Sequence, residues 1–165
     1  MNKTIIGLVV GFVLTGCGFK LRNSVDLPAG MQSVYIEGVS PISELVQNLQ
    51  THLAYGEGRI VHDPKDAGLI IAILDQKEDR RVISLDNQGK ANEFRLIYRL
   101  RFALRKGDGK ELVSPQEVTI TKEYFNDQVD VIGKSDEEAT IRREMHKEAV
   151  RRVMDRANAA LNKGS

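Results

Sequence analysis

The stretch NEFRLIYRLRFALRK, residues 92–106, decides the fold because its side chains alternate in character along its length. One parity is apolar or aromatic, and the other carries arginines with Ile97 and Ala103 between them. This period of two is typical of a long β-strand that buries one face and exposes the other. The apolar set consists of Phe94, Leu96, Tyr98, Leu100, Phe102 and Leu104, and the basic set consists of Arg95, Arg99, Arg101 and Arg105.

The flanking segments predict further strands. After a KGDGKE turn, the segment EVTITKEYF from Glu117 alternates again, which indicates an antiparallel hairpin. Earlier in the chain, the continuous apolar run Leu69–Leu74 predicts a central strand, and DNQG at 86–89 supplies turn residues. A shorter strand is predicted at Ser33–Glu37.

A first helix is predicted from Pro41 to about Ala54. Ser40 is a suitable N-cap, proline is favoured at the first helical position, and Gly56 and Gly58 follow the end. Apolar residues recur at helical spacing on one face. This face comprises Ile42, Leu45, Val46, Leu49 and Leu53.

The end of the chain predicts a second, longer helix. Ser135 and Glu138 form a capping-box pattern before the amphipathic run, and Glu138 and Arg142 form an i,i+4 ion pair. The apolar stripe comprises Ile141, Met145, Ala149, Val153 and Ala157, with Val150 and Leu161 beside it.

These elements fit a single α+β domain. A chain of 165 residues is long enough for one hydrophobic core. The two helices are expected to pack on one face of a mainly antiparallel sheet. We place the domain at residues 32–161, after an irregular tether at 17–31 and before a short tail at 162–165.

Residues 1–16 have the plan of a secretory signal peptide. Lys3 is followed by the ten-residue apolar run IIGLVVGFVL and by small residues. As a helix, ten residues rise only about 15 Å, roughly half the hydrocarbon thickness of a bilayer. The run is therefore too short for a membrane span.

The sequence LTGC at 14–17 resembles the bacterial lipobox, in which the cysteine is lipidated and becomes the first residue of the mature protein. Cys17 is the only cysteine in the chain, so no internal disulfide can form. Gly18 follows it, and by resemblance to the bacterial sorting rule this residue favours the inner leaflet of the outer membrane, facing the periplasm.

Charge and motif content exclude several classes of function. Lys3 is the only charged residue before Cys17, so residues 17–165 carry 23 basic and 23 acidic side chains. A neutral body argues against capture of nucleic acid. His52, His62 and His146 have no metal-ligand spacing, and no phosphate loop or nucleophile motif is present. We therefore expect no enzyme activity, no cofactor and no bound metal.

The arginines of the alternating strand allow two interpretations. They can form an ordinary solvated face, with threonine and glutamate across from them. Alternatively, Arg95, Arg99, Arg101 and Arg105 face a partner, with Arg80 and Arg81 on a neighbouring strand, because arginine pairs bidentately with phosphate.

Taken in order, GCGFKLR, EFRLIYRL, EVTITKEYFNDQ and the terminal helix resemble the LptE family of lipopolysaccharide-assembly lipoproteins. Phe19, Leu21 and Arg22 match the family's residues after the cysteine. The family's aromatic strand end followed by Asp or Asn is matched by Tyr124, Phe125, Asn126 and Asp127.

The resemblance implies a two-helix, four-stranded domain that plugs the LptD β-barrel, one to one, and binds lipopolysaccharide on its way to the outer leaflet. Lys134 matches a ligand-binding basic residue just before the last helix. For a second basic contact, Asn87 or Gln88 falls nearest, with Lys90, Arg81 and Arg80 close by. Two other readings are a lipid-anchored scaffold or chaperone of another envelope complex and a periplasmic lipid-anchored hydrolase.

Overall fold

The computed structural model describes residues 27–125 and 131–162, with side chains in the second range from 136 to 161. The predicted signal peptide, Cys17, the Asn126–Asp127 pair and the tail from Lys163 lie outside the described residues. The elements in chain order are β1 (Ser33–Glu37), α1 (Glu44–Ala54), β2 (Arg59–Ile60), a 3₁₀ turn (Pro64–Asp66), β3 (Leu69–Leu85), β4 (Ala91–Lys106), β5 (Glu111–Phe125) and α2 (Val131–Asn162).

The strands form one mixed sheet of five strands in the order β2-β1-β3-β4-β5. β1 pairs in parallel with β2 and β3, whereas β3, β4 and β5 are antiparallel. The expectation of a four-stranded, mainly antiparallel sheet is therefore wrong in strand number and misses the parallel pairs. The missed strand, β2, has only two residues, too few to show a period of two in the sequence.

The alternation predicted for residues 92–106 is confirmed in β4, whose six even-numbered apolar residues are all buried. They join one continuous core with the apolar residues of α1 and α2. Both helices therefore cover the same side of the sheet, which we call the helix face, and the arginine side is the open face. The helical contributors to the core are Leu45, Leu49, Leu53, Met145, Ala149, Val150, Val153, Met154, Ala157 and Leu161.

A bulge at Leu74 changes which side chains of β3 reach each face. Ile73 pairs with Phe102 of β4, but Asp75 pairs with Arg101, so Leu74 is an extra residue. Before the bulge the odd-numbered residues of β3 lie on the helix face, and from Asp75 to Val82 the even-numbered ones do. Arg80, opposite Leu96, therefore lies on the helix face, whereas Arg81, opposite Arg95, lies on the open face.

The first helix begins three residues later than predicted. Ser43, not Ser40, is the N-cap, because its hydroxyl accepts a hydrogen bond from the backbone N–H of Val46 at 3.3 Å. The carbonyl of Ser40 instead accepts from the backbone N–H of Ser43 at 3.0 Å, closing a turn ahead of the helix. Ile42 lies in that turn and is 82% exposed, so its assignment to the apolar face is also wrong.

The second helix begins at Val131, five residues before the first helical position that Ser135 would have capped. Ser135 and Glu138 therefore do not form a capping box. The Glu138 carboxylate instead contacts the side chains of Tyr124, Arg80 and Arg142, which offer it charged and hydroxyl donors. The i,i+4 pair between Glu138 and Arg142 is confirmed, with an N–O distance of 2.7 Å.

The final residues of the predicted tether pack against the domain. Leu27 is buried in the core, and the partly buried Met31 packs against the core. A Met31 backbone N–H donates to the carbonyl of Pro28 at 3.0 Å, which closes a turn before β1.

Candidate functional site

One end of the sheet gathers the cations that the resemblance singled out as ligand contacts. Glu93 near the start of β4 pairs with Phe125 at the end of β5, and α2 begins at Val131 a few residues later. The 86–90 turn between β3 and β4 lies at the same end. We call this region, formed by that turn, Phe125 and the first turn of α2, the turn end.

The 86–90 turn is well ordered by its own hydrogen bonds. A carboxylate oxygen of Asp86 accepts from the backbone N–H groups of Gln88 and Lys90 at 2.8 and 2.9 Å. Gly89 has φ of +75°, a conformation that glycine adopts without steric cost. The predicted turn is therefore confirmed, and it holds Lys90 exposed at the tip.

The remaining cations lie close by along the chain and the sheet. Arg81 is exposed on the open face of β3. Lys134 lies within the first turn of α2 and not in a loop before it, because the helix begins at Val131. The backbone thus brings Lys90, Arg81 and Lys134 to the turn end.

The guanidinium of Arg80 has partners within the domain. Its Nε lies 3.2 Å from a carboxylate oxygen of Glu138, and its central carbon lies 3.6 Å from the centre of the Phe94 ring. Phe94 in turn stacks on Tyr124 with ring centroids 5.6 Å apart. Arg80 therefore joins β3 to β4, β5 and α2 at the base of the turn end.

Glu138 is the centre of this arrangement. Partial burial acts to raise the pKa of Glu138, but hydrogen bonds from Tyr124 and Arg142 and the charge of Arg80 outweigh it and hold the pKa below 4.5. The carboxylate is therefore ionised at neutral pH. It neutralises part of the positive charge of Arg80 and Arg142.

Apolar side chains stand exposed beside the cations. Val82 is 50% exposed, Leu85 is 62% exposed and Phe125 is 66% exposed, and Ile83 lies between the first two. Large apolar residues in this setting are typical of a contact surface. Together with the cations, they suit an amphiphile that carries both anionic groups and hydrocarbon.

The arginines of the open face are mostly paired with acids. Arg95 contacts Glu123 and Arg99 contacts Asp79, each at 2.7 Å, and Arg105 contacts Glu37. Arg101 lies opposite Asp75 on β3 and Glu117 on β5. The open face is therefore a surface of mixed charge and not a concentrated anion-binding patch.

Sequence reasoning missed a second polar cluster, at the junction of both helices with β3. His146 is buried, and its two ring nitrogens lie 2.6 Å from Glu78 and 3.1 Å from Glu44. Its ring also packs on Tyr98, with centroids 4.7 Å apart. Burial raises the pKa of Tyr98, and the charges of Glu78 and Glu44 raise it further. No spacing in the sequence relates these residues, because the bulge at Leu74 decides that Glu78 points to the helix face.

No group of three or more histidine, cysteine or acidic side chains within residues 27–125 and 136–161 is arranged to hold a metal ion. The helices of the described part of the chain also lack the combination of length and hydropathy needed to cross a bilayer.

A family model and individual relatives of known name point to the same family. The family model LptE, described as lipopolysaccharide-assembly, matches residues 31–157, from just before β1 to near the end of α2. The LPS-assembly lipoprotein LptE of Photorhabdus laumondii is 26% identical over 157 residues, which cover 93% of this chain and 85% of the relative. The protein of the same name from Pectobacterium atrosepticum is 25% identical over 91% of this chain and 80% of the relative.

Solved structures share the architecture. Lipoprotein B from Nitrosomonas europaea superposes with a TM-score of 0.70 at 27% identity, covering 86% of this chain and 91% of that one. The rare lipoprotein B of Shewanella oneidensis gives a TM-score of 0.68 at 24% identity over 81% and 99% of the two chains. The second likeness supports the fold alone.

Proposed function

The chain belongs to the LptE family of lipopolysaccharide-assembly proteins, and on that premise we propose that it plugs the LptD β-barrel and binds lipopolysaccharide during delivery to the outer leaflet. Its relatives are named as assembly lipoproteins, and its own role is non-catalytic. The observation that carries the ligand part of the proposal is the turn end, where cations and exposed apolar residues lie together.

Lipopolysaccharide offers the matching chemistry, because its lipid A part carries phosphates on a body of acyl chains. Lys134 lies in the first turn of α2, where backbone amides and the helix dipole favour an anion. Lys90 and Arg81 are exposed and present further positive charge. Arg80 contributes as a cation that Glu138 partly neutralises, so we assign it the weakest ligand contact of the four.

The acyl chains require an apolar surface, which the exposed side chains of Val82, Leu85 and Phe125 supply. Their burial against lipid would contribute about 25 cal/mol per Å² of apolar area removed from water. The ligand is therefore held at the turn end by both charge and apolar contact.

The open face suits the wall of a barrel. Lumens of large outer-membrane barrels are polar, so a plug needs a polar surface whose charges can be matched locally. The alternating pairs of Arg95 with Glu123 and Arg99 with Asp79 provide such a surface. Arg101, between acids of two neighbouring strands, and Arg105 belong to the same face.

Lipidation at Cys17 would tether the domain to the inner leaflet of the outer membrane. One acyl chain gives only marginal membrane binding, whereas the three chains of a mature lipoprotein make dissociation negligible. The predicted tether at 17–31 would then connect the anchor at Cys17 to the domain.

The ligand part is tested by charge reversal at two ends of the sheet. We expect Lys134→Asp to weaken lipopolysaccharide binding by the full-length protein by about tenfold or more at constant salt, corresponding to about 1.4 kcal/mol. Lys110→Asp makes the same charge change in the exposed turn between β4 and β5, at the opposite end of the sheet, and should leave binding unchanged.

Binding is measured by titration with purified lipopolysaccharide, and circular dichroism checks that each variant is folded. Equal losses for the two variants would show that net charge alone governs the interaction. Unchanged binding for Lys134→Asp would remove this residue from the site.

A further inference from the structure

The distal half of β3 has an open edge. β1 covers the outer edge of β3 only as far as the pairing of Glu37 with Ala72. From Asp75 to Leu85, β3 pairs with β4 on its other side, and no described strand lies beyond it. The backbone groups along this edge that point away from β4 therefore lack a strand partner among the described residues.

The side chains along this edge are also uncovered. Every residue from Leu74 to Ile83 is exposed except Asp79, which is partly buried. Leu74 and Val82, near the two ends of the stretch, are 48% and 50% exposed. A long uncovered edge of this kind is a template for pairing with another extended chain.

The order of charges along the edge allows two antiparallel copies of it to place opposite charges next to each other. When two copies of the strand pair antiparallel, the numbers of facing residues add to a constant value. In one such register, Asp75 lies opposite Arg81 of the other copy, and Lys77 lies opposite its Asp79. All four side chains lie on the open face after the bulge, so each pair meets on the same side of a continuous sheet. The same register sets Leu74 opposite Val82.

We propose that the β3 edge, residues 74–82, pairs antiparallel with the same edge of a second copy of this chain. The two-fold axis that relates the two copies lies at Glu78, so each opposite-charge pair occurs two times in the symmetric interface. The inference concerns the free chain, not bound to a barrel, and stands independently of the proposed function.

Neighbouring registers that keep the helices on one side of the sheet are disfavoured by charge. Moving the axis from Glu78 to Lys77 places Asp75 opposite Asp79 and Lys77 opposite itself. Moving it to Asp79 places Lys77 opposite Arg81 and Asp79 opposite itself, and only Glu78 opposite Arg80 is then a favourable pair. Like charges directly opposite each other destabilise a strand pair, whereas opposite charges contribute roughly 0.2–1 kcal/mol each.

The one unfavourable meeting in the proposed register is Glu78 with Glu78 of the second copy. Each Glu78 already contacts Arg142 of its own chain, whose positive charge offsets its own, and also contacts a ring nitrogen of His146. On the open face, Asp79 also contacts Arg99, so the incoming Lys77 joins an existing pair. β1 limits the length of the pairing, because it occupies the edge of β3 on the N-terminal side of Ile73.

The proposal is tested by charge exchange in the full-length protein, produced without a barrel partner and kept in detergent micelles. Sedimentation equilibrium should show a dimer with a Kd on the order of 10–100 μM, since the contact is smaller than a standard interface. Asp75→Arg should raise this Kd by about tenfold or more. Combining it with Arg81→Asp restores opposite charges in both pairs and should return the Kd to near the unmodified value.

Glu117→Arg is the matched control, because it makes the same charge change on the open face of β5, at the other edge of the sheet. It should leave the Kd unchanged. A chain that stays monomeric at about 100 μM, or a Kd that Asp75→Arg does not alter, would overturn the proposal. So would a monomeric chain whose Asp75→Arg variant loses a co-purifying protein, since the edge would then belong to a strand of that partner.

Discussion

At the scale of single residues, Glu138 links three elements of the described domain. It contacts Tyr124 from β5, Arg80 from β3 and Arg142 from its own helix. Its side chain is only 20% exposed, so these contacts are partly shielded from water. Glu138 therefore fastens the beginning of α2 to the sheet directly beneath the turn end.

Replacement of Glu138 should destabilise the protein in a pH-dependent manner. The pKa of Glu138 is lower in the folded state than its ordinary value of 4.5. Its contribution to stability is therefore fully present above pH 4.5 and is lost as the pH falls through the folded-state pKa. We expect Glu138→Gln to lower the free energy of unfolding by about 1–2 kcal/mol near neutral pH, and by less at acid pH. Urea unfolding at a series of pH values measures this.

Glu144→Gln is the matched control on the same helix. Glu144 is 60% exposed and forms a surface ion pair with Lys147, so its loss should change the free energy of unfolding by about 0.5 kcal/mol or less. A loss for Glu138→Gln that stays constant from neutral to acid pH would contradict the ionic role of Glu138.

At the scale of elements, the sequence predicts those parts whose physical cause is local. Residues 92–106 form β4 as expected. Successive side chains of a strand point to opposite faces, so burial of one face produces a period of two in the sequence. The apolar stripe from Met145 to Leu161 is likewise buried as expected from its helical period. Both periods extend over enough residues that single residues that break the pattern do not obscure it.

Features that depend on pairing could not be predicted in this way. β2 becomes a strand only because β1 lies next to it, and its two residues carry no pattern. The bulge at Leu74 likewise arises from the pairing of β3 with β4, and it reverses the faces of residues 75–82, up to the next register shift at Ile83. Sequence reasoning grouped Arg80 with Arg81, although consecutive residues of a strand point to opposite faces, and the bulge decides that Arg80 is the one on the helix face.

The same limit applies to the candidate site. The chain order placed Lys90 and Lys134 near strand and helix ends, but only the antiparallel register brings these ends together. The exposed residues Val82 and Leu85 had no distinguishing pattern in the sequence, and Phe125 stood out only as part of the aromatic strand end. Their significance follows from their exposure beside the cations.

Gly38 should be essential to the join between β1 and β3. It has φ of +88°, and a Cβ at this position would lie 2.0 Å from the carbonyl oxygen of Ile73. Gly109 has the same φ, but a Cβ there would meet nothing within 4 Å. Gly109→Ala should therefore cost only the backbone strain, about 1–2 kcal/mol. Gly38→Ala should cost about 1–3 kcal/mol more, because the backbone must also move.

Thermal and urea unfolding of the two variants separate the clash from the strain. Equal losses of stability would contradict the close approach of Gly38 to Ile73. A larger loss for Gly38→Ala, with weakened hydrogen-exchange protection in β1, is the expected result.

At the scale of the whole molecule, the features serve different contacts. The helix face holds the core, the open face carries local charge pairs, and the turn end combines cations with exposed apolar residues. The neutral balance of residues 17–165 provides no general attraction for polyanions. The proposed recognition of a barrel wall and of lipopolysaccharide therefore depends on these local surfaces.

Affinity purification of the tagged full-length protein from membranes, solubilised in mild detergent, tests the central proposal most directly. We expect a stable complex with a large β-barrel protein, which separates into its two components when heated in denaturing detergent. Mass spectrometry identifies the partner and determines whether Cys17 carries acyl chains. Recovery of this chain without a barrel partner, under conditions that preserve other outer-membrane complexes, would contradict the account.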